Sequence, residues 1–149
     1  NMSGERFIVE LTESAMMGNR ELSLAVIERL RAQGFRISLD DFGTGYSSLN
    51  VIRQLNVDRL KIDRAFVSGE DCKNGDYSIA EMVLKLAEQL GLKTIAEGIE
   101  TPAQLEKLRS LGCDDGQGFH FSVPLVSEEF EALLTDQKMN LSTPPASAL

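Results

Sequence analysis

The residues with most chemical promise in this chain are two adjacent carboxylates that end an apolar run, Arg36-Ile37-Ser38-Leu39-Asp40-Asp41. They are followed at once by Phe42-Gly43-Thr44-Gly45-Tyr46-Ser47-Ser48. Neighbouring aspartates repel each other, which is costly unless water or a cation screens them. The glycines allow a sharp turn, and the serines can cap a following helix. Polar groups close other apolar runs in the same way: Glu10, Lys61 with Asp63, Glu97 and Gln117. A solvated strand end accounts for any one of them. Converging from different strands, Glu10, Asp40, Asp41 and Glu97 would instead offer oxygen ligands to hard divalent cations such as Mg2+ or Mn2+. Two such ions would clamp a phosphodiester, activate a bridging water and stabilise the departing oxygen. Lys61, set inside an apolar strand, could orient or deprotonate that water. Burial among metals and cationic neighbours is expected to favour its neutral form.

Alternating strands and helices must position these groups. The first strand is read at Arg6 to Leu11. A helix from about Arg20 to Gln33 follows, with Leu22, Val26, Ile27 and Leu30 on one face and Gly34 as its stop. The strand Arg36 to Asp41 leads into a short helix with apolar positions Leu49, Ile52 and Leu55, then the strand Val57 to Asp63. Asp76 can cap a helix carrying Ile79, Val83, Leu86 and Leu90, which Gly91 ends. The strand Leu92 to Glu97 comes next. Thr101-Pro102-Ala103-Gln104 has the form of a capping box with proline at the first helical position. Leu105, Leu108 and Leu111 give that helix its buried face. A last short strand is read near Gly116 to Phe121, and a final helix opens at Ser127. Residues 136–149 read as a flexible tail, polar and without periodicity.

Five strand–helix units of about thirty residues fit a (β/α) barrel, although a doubly wound sheet would show the same alternation. Polar groups at every strand's C-terminal end favour the barrel, whose active sites lie there. Eight strands close such a barrel, so residues 1–135 are read as its C-terminal five-eighths. The open edges and apolar faces of a partial barrel should need cover, from the rest of the barrel or from another copy.

Composition narrows the function. The 149 residues suffice for one domain with a real core. With 15 Lys+Arg against 23 Asp+Glu, the formal net charge of −8 argues against a duplex nucleic-acid binder. Cys72 and Cys113 lack metal-site or redox-pair spacing and read as reduced thiols, as in a cytoplasmic protein. No apolar run is long enough to span a membrane, so no membrane contact is expected of this segment.

Several blocks carry a family resemblance: Glu10-Leu11-Thr12-Glu13, Asp40-Asp41-Phe42-Gly43-Thr44-Gly45-Tyr46-Ser47-Ser48-Leu49, Lys61-Ile62-Asp63, Ala96-Glu97-Gly98-Ile99-Glu100 and Gln117-Gly118-Phe119. In order and spacing the chain resembles the EAL-domain cyclic di-GMP phosphodiesterases over about residues 5 to 135. The resemblance implies a modified TIM barrel that opens cyclic di-GMP to linear pGpG with two Mg2+ or Mn2+ ions, in bacterial second-messenger signalling. It implies metal-site roles for Glu10, Asp40, Asp41 and Glu97, with Asp40 bridging. Lys61 is implied as the catalytic lysine, with Asp63 and Glu100 as further active-site carboxylates and Gln117 and Gly118 as substrate-binding residues. Glu13 resembles the glutamate that pins the Phe42 to Ser48 loop and couples metal binding to homodimerisation.

The Glu-Ala-Leu tripeptide that names the family is absent, as is the family's metal-binding asparagine from the strand before Glu10. Both belong to earlier strands. The isolated chain is therefore expected to be inactive, with catalysis in an intact parent carrying an upstream sensor or cyclase-like domain. Asn56 stands where a proline is common, and Val123 where a Lys or Arg often precedes Pro124. The alternative function is a receptor that binds cyclic di-GMP without hydrolysis. The intact Glu10, Asp40-Asp41 and Lys61 set favours catalysis.

Overall fold

The computed structural model describes residues 3–12, 15, 20–42, 52, 55–69, 72 and 74–140. A short 3-10 turn, Gly4–Arg6, precedes β1 (Ile8–Thr12). Next come α1 (Arg20–Ala32), β2 (Arg36–Phe42), β3 (Arg59–Ile62), α2 (Ala65–Ser68) and α3 (Ser78–Leu90). They are followed by β4 (Lys93–Ala96), α4 (Pro102–Ser110), β5 (Asp115–Gly116) and α5 (Ser127–Asn140). Local signals set several boundaries. Gly91 ends α3 in the left-handed region, and its N–H reaches back to the carbonyls of Ala87 and Glu88. Thr101 and Gln104 form the expected capping box on α4. Asp76 accepts from the Ser78 N–H at 2.8 Å and so caps the start of α3.

The five strands are all parallel and stand in sequence order, β1-β2-β3-β4-β5. A doubly wound sheet reverses its strand order at a switch point. None occurs here, so the sheet is a singly wound segment of barrel. β1 and β5 are its edges.

Period-2 alternation splits the sheet into two unlike faces. Ile37, Leu39, Leu60, Ile62 and Ala96 point to the helices, are at most 2% exposed, and join one core with Ile27, Ala80, Val83, Ala87 and Leu108. Burying each of the larger aliphatic side chains contributes about 1.5–3 kcal/mol. The opposite face carries Arg36, Ser38 and Asp40 on β2, Arg59 and Lys61 on β3, and Lys93 and Ile95 on β4. Barrel interiors are usually filled by branched apolar residues. This inner face is polar, so the uncovered apolar residues lie at the sheet's two ends and on the helices, where Leu22 and Val26 of α1 and Ile79 and Met82 of α3 are exposed. Phe7 and Ile8 are exposed beside β1, and Phe119, Phe121, Val123, Val126 and Phe130 after β5.

Two readings shift. The last strand is only Asp115–Gly116, and residues from Gly118 onward turn rather than extend. The reason is crowding: the Ile99 N–H bonds the Gln117 carbonyl and the His120 N–H bonds the Ile99 carbonyl. A Cβ on Gly118 would overlap the Ile99 backbone. The final helix continues to Asn140, into the segment read as tail. Ile52 and Leu55 are helical and buried as expected, whereas Leu49 lies outside the described residues.

Candidate functional site

The C-terminal ends of β1 to β4 gather charge around one cation. Lys61 on β3 has a side chain only 5% exposed, and its ammonium lies 2.8 Å from Glu10, 3.1 Å from Asp40 and 2.6 Å from Glu97. Glu10 comes from β1, Asp40 from β2, and Glu97 immediately follows β4. An ammonium has three N–H donors, and here each faces a carboxylate. Burial by itself would drive Lys61 toward its neutral form, but the hydrogen bonds from Glu10, Glu97 and Asp40 outweigh it. They hold the ammonium well above the ordinary lysine range. The neutral form was expected beside bound metals; with the carboxylates alone as neighbours, Lys61 is held charged.

A backbone irregularity accounts for the paired aspartates. Leu39 is in register with Leu60, and Phe42 with Ile62, so Asp40 and Asp41 together stand opposite the single residue Lys61. This is a β-bulge, two residues facing one. Asp41 sits in the left-handed region at φ 56°, a conformation that aspartate tolerates better than most residues. Strict alternation would have sent Asp41 into the helix-packed core. The bulge gives that place to Phe42, which is buried beside Ile62 and Leu39, and leaves Asp41 half-buried at the site. Burial and repulsion from Asp40 and Asp63 push the Asp41 carboxyl up, against the pull of Lys61. Two consecutive aspartates on paper do not reveal such a bulge.

The other expected residues take varied places. Asp63 accepts from the Ala65 N–H at 2.8 Å and so caps the start of α2, while its charge still reaches Asp41. Glu100 lies outside the Lys61 cluster, 3.9 Å from Arg64, with its backbone N–H held by Gln104. Gln117 extends the β4–β5 ladder through its N–H to the Ala96 carbonyl, next in line to Glu97. Gly118 is required by its backbone approach to Ile99. Glu13 and the loop 43–48 lie outside the described residues. The Cys72 thiol donates to the Phe66 carbonyl and the Cys113 thiol to the Asp115 carbonyl, each at 3.2 Å. A cavity of about 440 Å³ opens at the other end of the strands, lined by Arg36, Asp58, Arg59 and Lys93 among others. The carboxylate cluster itself is an open shelf.

Its donor set is oxygen-only, with four carboxylates against one ammonium, and fits hard divalent cations. Among the described residues no group of three acidic, His or Cys side chains is already spaced as a metal cage. The carboxylates are drawn onto Lys61 instead.

The EAL domain family model matches residues 1–124. The cyclic di-GMP phosphodiesterase NbdA of Pseudomonas aeruginosa is 42% identical over 136 residues, covering 91% of this chain and 17% of that protein. The solved PaMucR phosphodiesterase in complex with c-di-GMP, from the P. aeruginosa protein MucR, superposes with a TM-score of 0.80 at 42% identity. The match covers 87% of this chain and 52% of that one. The manganese/cy-diGMP complex of Klebsiella pneumoniae BlrP1 at pH 9.0 gives a TM-score of 0.71 at 31% identity, over 83% of this chain and 31% of that one. The chain thus spans about half of the solved phosphodiesterase and under a quarter of the curated relative. No helix among the described residues is long and apolar enough to cross a membrane.

Proposed function

The chain belongs to the EAL domain family, and from that premise we propose that it forms the C-terminal part of a barrel that hydrolyses cyclic di-GMP to linear pGpG. The observation that carries this reading is the convergence of Glu10, Asp40 and Glu97 on the buried Lys61 at the C-terminal ends of consecutive parallel strands. Glu10, Asp40, Asp41 and Glu97 are the residues that would hold two Mg2+ or Mn2+ ions. When bound, such ions supply Lewis-acid activation of water and charge neutralisation at the phosphodiester. Lys61, now held by those carboxylates, would then face the reaction space. There it would orient the attacking water and the phosphate oxygens. Asp41, its carboxyl pushed up, is the member of the set best suited to carry a proton. Gln117 and Gly118 border the same shelf and would contact the ligand. Glu100 and Asp63 would act at its rim.

The 149-residue chain by itself is proposed to lack significant turnover, since the family's Glu-Ala-Leu glutamate and metal-binding asparagine are not in it. Dimerisation through the loop that Glu13 anchors belongs to the same proposal. The test is cyclic di-GMP turnover with Mn2+ in the parent chain, compared with Lys61→Ala and Asp40→Asn. Each substitution is expected to lower kcat by about 100-fold or more. Binding of cyclic di-GMP without hydrolysis in the unaltered parent would instead establish a receptor. Robust pGpG production by the isolated chain would overturn the assignment of the metal-site residues.

A further inference from the structure

The hydroxyl of Ser38 is anomalous. The residue is 1% exposed, and its Oγ is the one buried side-chain polar atom among the described residues that has no hydrogen-bond partner. Such groups are rare because a buried, unsatisfied hydroxyl is costly. Ser38 lies on the inner face of β2, one inward-pointing position before Asp40. It is in register with Glu10 on one side and with Arg59 on the other, and Lys61 is the next inward-pointing residue after Arg59. The orphaned hydroxyl therefore sits one layer beneath the cluster, flanked by the strands that carry Glu10 and Lys61.

The donor count at Lys61 gives this position a use. All three of its N–H bonds are taken up by Glu10, Asp40 and Glu97. A carboxylate that turns to a divalent cation commits its lone pairs and much of its charge elsewhere. Lys61, nearly enclosed, would then lack acceptors. Resting on the metal-site reading above, we propose that Ser38 is a positioning residue for Lys61. Its hydroxyl accepts the ammonium hydrogen bond that the carboxylates relinquish when they bind cations, and so holds the charged lysine at one place beneath the reaction space. No bond is made or broken in this exchange; one hydrogen-bond acceptor replaces another.

The test uses the full chain with Ser38→Ala and Ser38→Cys, two substitutions of nearly unchanged volume that remove the strong acceptor. Three quantities are read: the unfolding midpoint without metal, the Mn2+ dissociation constant by calorimetry, and the Lys61 ammonium 1H–15N resonance with Mg2+. Without metal, both variants are expected to melt at or above the unaltered midpoint, because an unsatisfied group has been removed. Their Mn2+ affinity should fall by roughly tenfold, as for partners one step removed from a metal. With Mg2+, the Lys61 resonance should persist in the unaltered chain and be lost to solvent exchange in both variants. Equal Mn2+ affinity in variant and unaltered chain would overturn the role of Ser38 alone. An equal loss of stability with and without metal would also overturn it, by showing a hydroxyl that holds a structural water. No Mn2+ uptake by the unaltered chain would remove the metal-site reading and this inference with it.

Discussion

The two ends of the same strands carry charge in opposite ways. At the N-terminal ends three cations each have their own acid: Arg31 bonds Asp58 at 2.8 Å, Arg59 bonds Asp115 at 2.8 Å, and Lys93 bonds Asp114, while Arg36 donates to the Glu5 carbonyl. Asp58 also accepts from the Ile37 N–H, and Asp114 accepts from Thr94, so these acids tie loops to strand starts. At the C-terminal ends, among the described residues, Lys61 alone faces Glu10, Asp40 and Glu97, with Asp41 and Asp63 close behind. One-to-one pairs complete themselves within the chain, and their role is structural. A surplus of carboxylates around one ammonium is stable only through that ammonium, or through cations brought from outside. On the proposed reading, fold and function occupy opposite ends of one sheet.

The largest expected effect comes from removing the single counter-charge. Lys61→Ala leaves three partly exposed carboxylates facing one another across the shelf. With water screening part of that repulsion, it should cost the metal-free chain about 2–3 kcal/mol in urea unfolding, and Mn2+ should restore part of the loss. If the variant is as stable as the unaltered chain, the cluster is not held together by Lys61. At the other end, Asp58→Ala removes an acceptor from Arg31 and from the Ile37 N–H. That change should cost about 1–2 kcal/mol and leave Mn2+ affinity unchanged. Any change in affinity would blur the division between the two ends.

Asp41→Asn acts in the opposite direction. Its carboxyl is pushed above the ordinary 3.8 by burial and by Asp40 and Asp63. The folded state therefore holds that proton more tightly than the unfolded chain does, so ionising Asp41 opposes folding. Below pH 3.8 the variant and the unaltered chain should melt alike. As pH rises through the raised folded-state value, the variant should become the more stable in the absence of metal, while binding Mn2+ less well. A variant that is less stable at neutral pH would contradict the repulsion argued here. The smallest effect should be that of Lys93→Ala. Its exposed pair with Asp114 is screened by solvent, and thermal melting should register no clear shift.

Much of the fold was legible because helical spacing stops at glycines such as Gly34, Gly91 and Gly112, and a short strand follows each. The choice between barrel and open sheet rested on polar strand ends, and the unreversed strand order agrees with it. Within the site, Glu10, Asp40, Glu97 and Lys61 were readable by type and position. The bulge was not, because alternation assigns Asp41 to the core and only pairing across strands reveals two residues facing one. The direct pairing of Lys61 with Glu10, Asp40 and Glu97 was not legible either, because the sequence brings these groups together without fixing which of them touch. Ser38 looked like an ordinary strand serine until its missing hydrogen bond could be counted. The end of the last strand was misjudged because the close approach of Gly118 to Ile99 is a tertiary constraint.

The most direct test of the central claim is the pattern of paramagnetic broadening that Mn2+ imposes on the amide spectrum of this chain. Broadening is expected to be strongest at Thr12, Asp40, Asp41, Ile62 and Glu97, to weaken toward Arg36, Arg59 and Lys93, and to fall sharply in Asp40→Asn. Broadening that is scattered, centred on the N-terminal ends of the strands, or unchanged in Asp40→Asn would contradict a cation site made by the surplus carboxylates.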